Sequence, residues 1–406
     1  MAFLMKHFFP RDSSFGYEAL RAAAYSNYGG ADVAEVIAIC SVISPGDEES
    51  WMREWRVAAD RAVRGAQESL SAGNNISARE AFLRASNYYR TAEFYRRQDP
   101  KHDKVAQELT RLSAESFTSA MKLMAHNFDE IRIPYEKTTL PGFFVSPPGP
   151  PIPRPTIIFN GGFDSVKEEG WFAIAAPALD RGFNVLAFDG PGQGEALRRQ
   201  GLVFRPDWEC VLSPVVDYAL SRPETAPDKI VIFGWSMGGY LVARAAASEH
   251  RAAAIVLDDG VFDFGSAFRQ ELPGPALWML NRHWDFPIEL VAKIMMRLST
   301  GSRWGILNAK WTLGVDSAAE MFREVAKYTL EGLVENITTP MLILDAPDDH
   351  FLKGQPQILF NKLTCKEKTL AQITRLEGGS THCHQGTSSR LHQVIFDYLV
   401  PRMFKA

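Results

Sequence analysis

Cysteine is scarce here: four residues in 406, at Cys40, Cys210, Cys365 and Cys383. They form no C-x-x-C pair and no dense framework. That excludes a disulfide-stapled scaffold and suits reduced thiols in a cytoplasmic protein. Also lacking is an uncharged run of the ~20 residues needed to cross a bilayer. The start, Met1 to Asp12, is apolar but has neither the long uncharged centre nor the small-residue cleavage site of a secretory leader. Cations are not in excess, since the formal net charge is −4. Neither nucleic acid nor a membrane is therefore expected as a partner. No G-K-[ST] or dinucleotide fingerprint occurs, so no nucleotide cofactor is expected. What remains, 46% apolar and 23% charged, describes a globular chain with core enough for two domains.

The two halves differ in texture. Residues 1–128 read as an all-helical domain. Trp51 and Trp55 fall four apart on one apolar face. That helix is expected to stop near Gly73, and Ser77 and Glu80 have the spacing of a capping box opening the next. Residues 129–406 read as short strands alternating with helices: 131–136, 140–145, 156–159, 184–188, 229–233, 253–257, 341–344 and 372–376. Such alternation implies an α/β fold, a mostly parallel sheet with helices on both faces. The proline-rich stretch 147–155 reads as a stiff connection. A block at about 262–335, rich in Trp and Met, interrupts the rhythm. It reads as a helical cap over the carboxyl edge of the sheet, where such sheets bind ligands.

The chemistry centres on Gly234-Trp235-Ser236-Met237-Gly238, a G-x-S-x-G run between an apolar β-branched segment and a helical one. A strand turning sharply into a helix lifts the serine hydroxyl above the sheet edge. A hydroxyl alone is a weak nucleophile and needs a base, itself oriented by an acid. Both follow in the chain order that a nucleophile elbow requires. Asp349, or failing it Asp348, follows the strand 341–344. His382, or failing it His384, follows Gly378 and Gly379. His382, Cys383 and His384 have too few ligands at suitable spacing to hold a metal, and none is expected. Gly162, with Phe163 as the alternative, and Met237 are the expected oxyanion donors through their N–H groups. Asp258 and Asp259, ending the strand after the elbow, read either as auxiliary acids that protonate a departing carbon or as helix caps. Ser165 and Glu168 have capping-box spacing. Asp189 to Glu195 reads as a tight structural loop.

Several stretches together resemble a known group. Phe8 to Asp12, Gly29 to Asp32, Trp51 to Trp55, Asn160 to Glu169, Asp189 to Glu195, Gly234 to Gly239 and Thr381 to His384 are similar to α/β hydrolases with a helical N-terminal domain. That group includes dihydropseudooxynicotine hydrolase and fungal hydrolases of polyketide clusters of the fusarin, cytochalasin and melanin type. The resemblance implies an α/β-hydrolase fold and a Ser236-His382-Asp349 serine hydrolase without cofactor. It further implies a polyketide-derived substrate cleaved at a C–C bond of a β-diketone or at an ester or thioester, and a homodimer formed through the helical domain. A hydrolase-fold cyclase or release factor, or a binding protein that no longer turns over, is the alternative.

Overall fold

The computed structural model describes residues 4–404. Of the apolar stretch 1–12, Met1, Ala2 and Phe3 lie outside the described residues, as do Lys405 and Ala406. Five helices come first: α1 (Ser13–Ala24), α2 (Val33–Val42), α3 (Glu48–Ser71), α4 (Asn75–Glu93) and α5 (Lys104–Met121). The carboxylates of Asp12, Asp47 and Asp103 each accept two backbone N–H bonds at the starts of α1, α3 and α5. Such caps satisfy donors that have no partner within the helix. Trp51 and Trp55 are fully buried where α3 packs on α4, so this aromatic face is core. The capping box expected at Ser77 is not used. Gly73, at φ +78°, ends the preceding helix, and α4 begins at Asn75, two residues before Ser77.

The strands are β1 (Asn127–Tyr135), β2 (Thr138–Ser146), β3 (Arg154–Asn160), β4 (Asn184–Phe188), β5 (Thr225–Trp235), β6 (Ala254–Asp258), β7 (Met341–Asp345) and β8 (Lys368–Gln372). They form one eight-stranded sheet in the order β1-β2-β4-β3-β5-β6-β7-β8. β1 and β2 run antiparallel, as do β2 and β4, and every later pairing is parallel. The central strands β4, β6 and β7 are buried along their whole length, as expected where helices cover both faces.

Several sequence boundaries shift: β1 begins at Asn127, inside the stretch 1–128 read as all-helical, and β5 begins at Thr225 rather than 229. Arg154 and Pro155, assigned to the stiff connection, already belong to β3. The last strand is 368–372 and not 372–376, because Glu377 binds back to the Thr374 backbone and folds 374–377 into a turn. The cap comprises helices Gly265–Arg269, Gly274–Asn281, Asp285–Leu298, Thr300–Leu313 and Ala318–Val325, between β6 and β7.

α1 is wedged against the sheet's carboxyl edge, although its sequence sits far from the strands. Arg21, 4% exposed, reaches Asp164 at 2.7 Å and Glu169 at 2.8 Å. Arg90 of α4 reaches Glu18 at 2.9 Å, and the Tyr25 hydroxyl donates to Glu169 at 2.6 Å. Buried charges survive only when they are paired and hydrogen-bonded. This cluster therefore ties the helical region to the loop after β3.

Candidate active site

The elbow is built from backbone geometry. Ser236 has φ +60° and ψ −126°, a conformation that L residues rarely adopt. Glycines surround it because neighbouring backbone leaves no room. A Cβ at Gly238 would strike the Asn160 carbonyl oxygen, and one at Gly239 would strike that of Asp259. Ser236 then stands at the N-terminus of the helix Met237–Ala245, with its hydroxyl above the end of β5.

Three loops meet there. Ser236 Oγ lies 2.8 Å from His382 Nε2, and His382 Nδ1 lies 2.7 Å from Asp349 Oδ2. The second Asp349 oxygen accepts the N–H groups of Phe351 at 2.7 Å and Leu352 at 3.0 Å, so one carboxylate both faces the imidazole and caps the following turn. Asp348 is turned away, 2.9 Å from Arg375. His384, fully buried, pairs through Nδ1 with Asp258 Oδ1 at 2.7 Å and does not approach Ser236.

Asp259, an expected auxiliary, meets the imidazole itself. Its Oδ2 lies 3.0 Å from His382 Nδ1, so the imidazole meets two carboxyls at one nitrogen. Asp259 stands on the Nδ1 side of the His382 ring and Asp258 on His384, and neither lines the cavity that Ser236 faces.

The electrostatics follow from this crowding. Burial pushes the Asp259 carboxyl well above the usual carboxylate range, and the Asp349 charge pushes it further. Burial acts likewise on Asp349, but the His382 charge and hydrogen bonds from His382 and Asp259 outweigh it and hold Asp349 ionised. Burial would depress the His382 imidazolium; Asp349 reverses this, so the group lies well above the ordinary imidazole value. His384 is brought down by burial, yet Asp258 lifts it to about 9. Two close carboxyls that differ in this way behave as one ionised and one neutral acid.

The oxyanion side departs from the first expectation. Gly162 N–H donates to Ser165 Oγ at 2.8 Å. The N–H groups of Phe163 and Met237 have no acceptor among the described residues, so these two are open to a ligand oxygen. Ser165 spends its hydroxyl on that turn and not on a capping box. Gly162 is needed for space instead: a Cβ there would lie 2.8 Å from both Ser236 Cβ and the Trp235 carbonyl oxygen.

Ser236 and His382 open on a cavity of about 430 Å³. Phe163, Phe264, Phe268 and Trp304 form a cluster of rings on its cap side. α1 closes the opposite side with Ser14, Tyr17, Glu18 and Arg21. Tyr17 donates to the His382 carbonyl oxygen at 3.3 Å and packs 4.9 Å from the His350 ring. Glu18 and Arg21, charges within a helix whose residues 15–23 are all buried, were the available sequence sign that α1 meets something polar.

Two groups of possible metal donors lie close together, Asp259 with His382 and Cys383, and Asp258 and Asp259 with His384. Both histidines already spend their Nδ1 atoms on carboxylates, and His382 Nε2 faces Ser236. The first group therefore offers no free imidazole nitrogen, whereas in the second His384 Nε2, Asp258 Oδ2 and Asp259 Oδ1 have no hydrogen-bond partner among the described residues.

Sequence comparison matches the alpha/beta hydrolase family over residues 157–394, from β3 to the final helix. The chain belongs to the alpha/beta hydrolase family. Its relatives include hydrolase LUC6 of a Fusarium species, 33% identical over 97% of each chain. A 20-hydroxy-prefusarin hydrolase of Gibberella moniliformis is also 33% identical, over 95% of each. Both alignments include the helical region that precedes the family match. Among solved structures, 2,6-dihydroxy-pseudo-oxynicotine hydrolase superposes with a TM-score of 0.74, covering 94% of this chain and 95% of its own at 22% identity. That degree of likeness speaks for the fold, helical region included. No helix among the described residues is long and apolar enough to cross a membrane.

Proposed function

We propose that the protein is a cytoplasmic serine hydrolase of a fungal secondary-metabolite pathway, acting on a polyketide-derived carbonyl compound. The observation that carries this reading is the unbroken line from Ser236 Oγ through the His382 ring to Asp349, at 2.8 and 2.7 Å. His382 Nε2 takes the Ser236 proton as the oxygen attacks the carbonyl. The Phe163 and Met237 N–H groups receive the oxyanion, and Asp349 stabilises the imidazolium. With a β-diketone, collapse expels a stabilised enolate that His382 protonates. With an ester or thioester the leaving group is the alcohol or thiol. Water, deprotonated by His382, then releases the acid. The aromatic cavity suits an apolar substrate with few polar groups, and the fusarin-type relative supports a polyketide-derived one.

The test is labelling with a fluorophosphonate and trapping of the acyl-enzyme by mass spectrometry. Modification at Ser236, abolished in Ser236→Ala, is expected. Turnover with no covalent adduct would instead assign the attack to water activated by His382.

A homodimer through the helical region belongs to the same proposal. The outer side of α2 exposes Val33, Ile37 and Val42, and that helix carries a single charged residue, Glu35. An uncharged apolar face can meet its own copy across a twofold axis without like-charge repulsion. Light scattering of wild type and Ile37→Glu tests it, with a dimer expected for the former and a monomer for the latter.

A further inference from the structure

The cap carries an apolar strip that the hydrolase reading does not use. On the helix Asp285–Leu298, Phe286, Leu290, Ile294 and Leu298 follow at four-residue spacing and lie along one side. All four are exposed, Phe286 and Leu298 each at 81%. Trp284 precedes them and packs edge-on against Trp278, itself half exposed, at 5.3 Å. A single exposed leucine means little, but a contiguous strip of this kind marks a contact surface.

Charge identifies what it contacts. Lys293 and Arg297 rise from the same helix turns, and Arg282 stands over the Trp278 ring at 5.2 Å. Among the described residues none of these three cations pairs with a carboxylate, although the chain as a whole is acidic. Asp285, at the start of the helix, is held by Arg323 at 2.8 Å, and the Glu289 carboxylate accepts the Ala319 N–H at 2.9 Å. An isologous contact with a second copy would set unpaired cations near one another, which opposes it. Tryptophan and other large apolar groups ringed by unpaired Lys and Arg match an anionic lipid surface. The other side of the helix faces inward, where Met295 lines the cavity above Ser236.

We propose that the cap is a peripheral membrane-docking face, which takes anionic phospholipid headgroups on Arg282, Lys293 and Arg297 while the Phe286–Leu298 strip enters the interface. A net charge of −4 and the lack of a spanning segment among the described residues both speak against a membrane. Neither criterion detects a local strip assembled by one helix face. Docking would place the cavity beside the phase into which apolar substrates partition, separated from it by one helix.

The full chain is tested by sedimentation with vesicles of phosphatidylcholine alone or with phosphatidylserine. Wild type is expected to pellet with the phosphatidylserine vesicles and to be released by salt. Phe286→Glu with Leu298→Glu should abolish pelleting without changing the thermal unfolding midpoint, since both side chains are exposed. Lys293→Gln with Arg297→Gln should weaken it on the order of 25-fold, about fivefold per cation. Ser236→Ala should bind as wild type, which separates this test from the hydrolase assignment. Wild type remaining in the supernatant with both vesicles would overturn the proposal. So would a glutamate variant that pellets fully, or one that converts a dimer to a monomer, which would assign the strip to a second copy.

Discussion

The second carboxyl at His382 makes loss of the first unusually mild. Asp349 and Asp259 meet Nδ1 at 2.7 and 3.0 Å. In the intact site Asp349 holds the charge, and Asp259 is kept neutral by burial and by that charge. Asp349→Asn removes the charge, so Asp259 becomes free to ionise and accept the Nδ1–H hydrogen bond from 0.3 Å farther away. Where no substitute exists, asparagine at this position costs about 10⁴-fold, because the imidazole adopts the wrong tautomer. With Asp259 standing in, the expected loss in kcat is about 10- to 100-fold, or about 1.4–2.7 kcal/mol of barrier. Asp259→Asn replaces a neutral acid with a neutral amide and should change kcat by no more than about threefold. The double variant should lose the full ~10⁴-fold, more than the sum of its parts on a free-energy scale. The assay is turnover of a p-nitrophenyl ester alongside fluorophosphonate labelling of Ser236. A loss near 10⁴-fold in Asp349→Asn alone, or a double variant no slower than that single one, would refute the shared role.

Other outcomes follow from the same geometry. The His382 imidazolium lies above its ordinary value because Asp349 favours the charged form, so the neutral base fills only as pH rises. The labelling rate should therefore climb with pH to a midpoint above ~6.5, and a midpoint at or below that value would contradict the assignment. Arg21→Met leaves Arg90 as the one cation paired with Asp164 and Glu169 among the described residues, and urea unfolding should show a loss of about 3 kcal/mol; a loss under about 1 kcal/mol would mean that the cluster is not what joins α1 to the sheet. Ser165→Ala removes the acceptor of the Gly162 N–H. It should cost about 1–3 kcal/mol in the same measurement, and an unchanged midpoint would show that the donor finds another partner.

Much of the fold was legible because it rests on local periodicity. Apolar β-branched runs such as Lys229 to Phe233 admit only a buried strand, and the glycines around Ser236 admit only a tight turn. Boundaries were harder where two local rules competed. At Ser77 a good capping sequence lost to Gly73 and Asn74 just before it, and at Thr374 a side-chain bond from Glu377 ended the strand early. Ser165 looked like a cap in one dimension and is a turn acceptor in three.

The order Ser236, Asp349, His382 could be read from the chain because an elbow requires its partners after later parallel strands. Choosing within each adjacent pair could not, since neighbouring residues point in different directions and only the loop's path decides which faces the elbow. That path puts Asp349 rather than Asp348, and His382 rather than His384, in line with Ser236, and it leaves the Phe163 N–H without an acceptor among the described residues while that of Gly162 is bonded. The same holds for Asp259 beside the imidazole, Tyr17 and Arg21 from a helix more than two hundred residues before Ser236, and the strip on the cap. Such contacts join segments with no pattern in common. Sequence periodicity records which side of an element is apolar, whereas the partner across the gap is chosen by the packing of the whole chain.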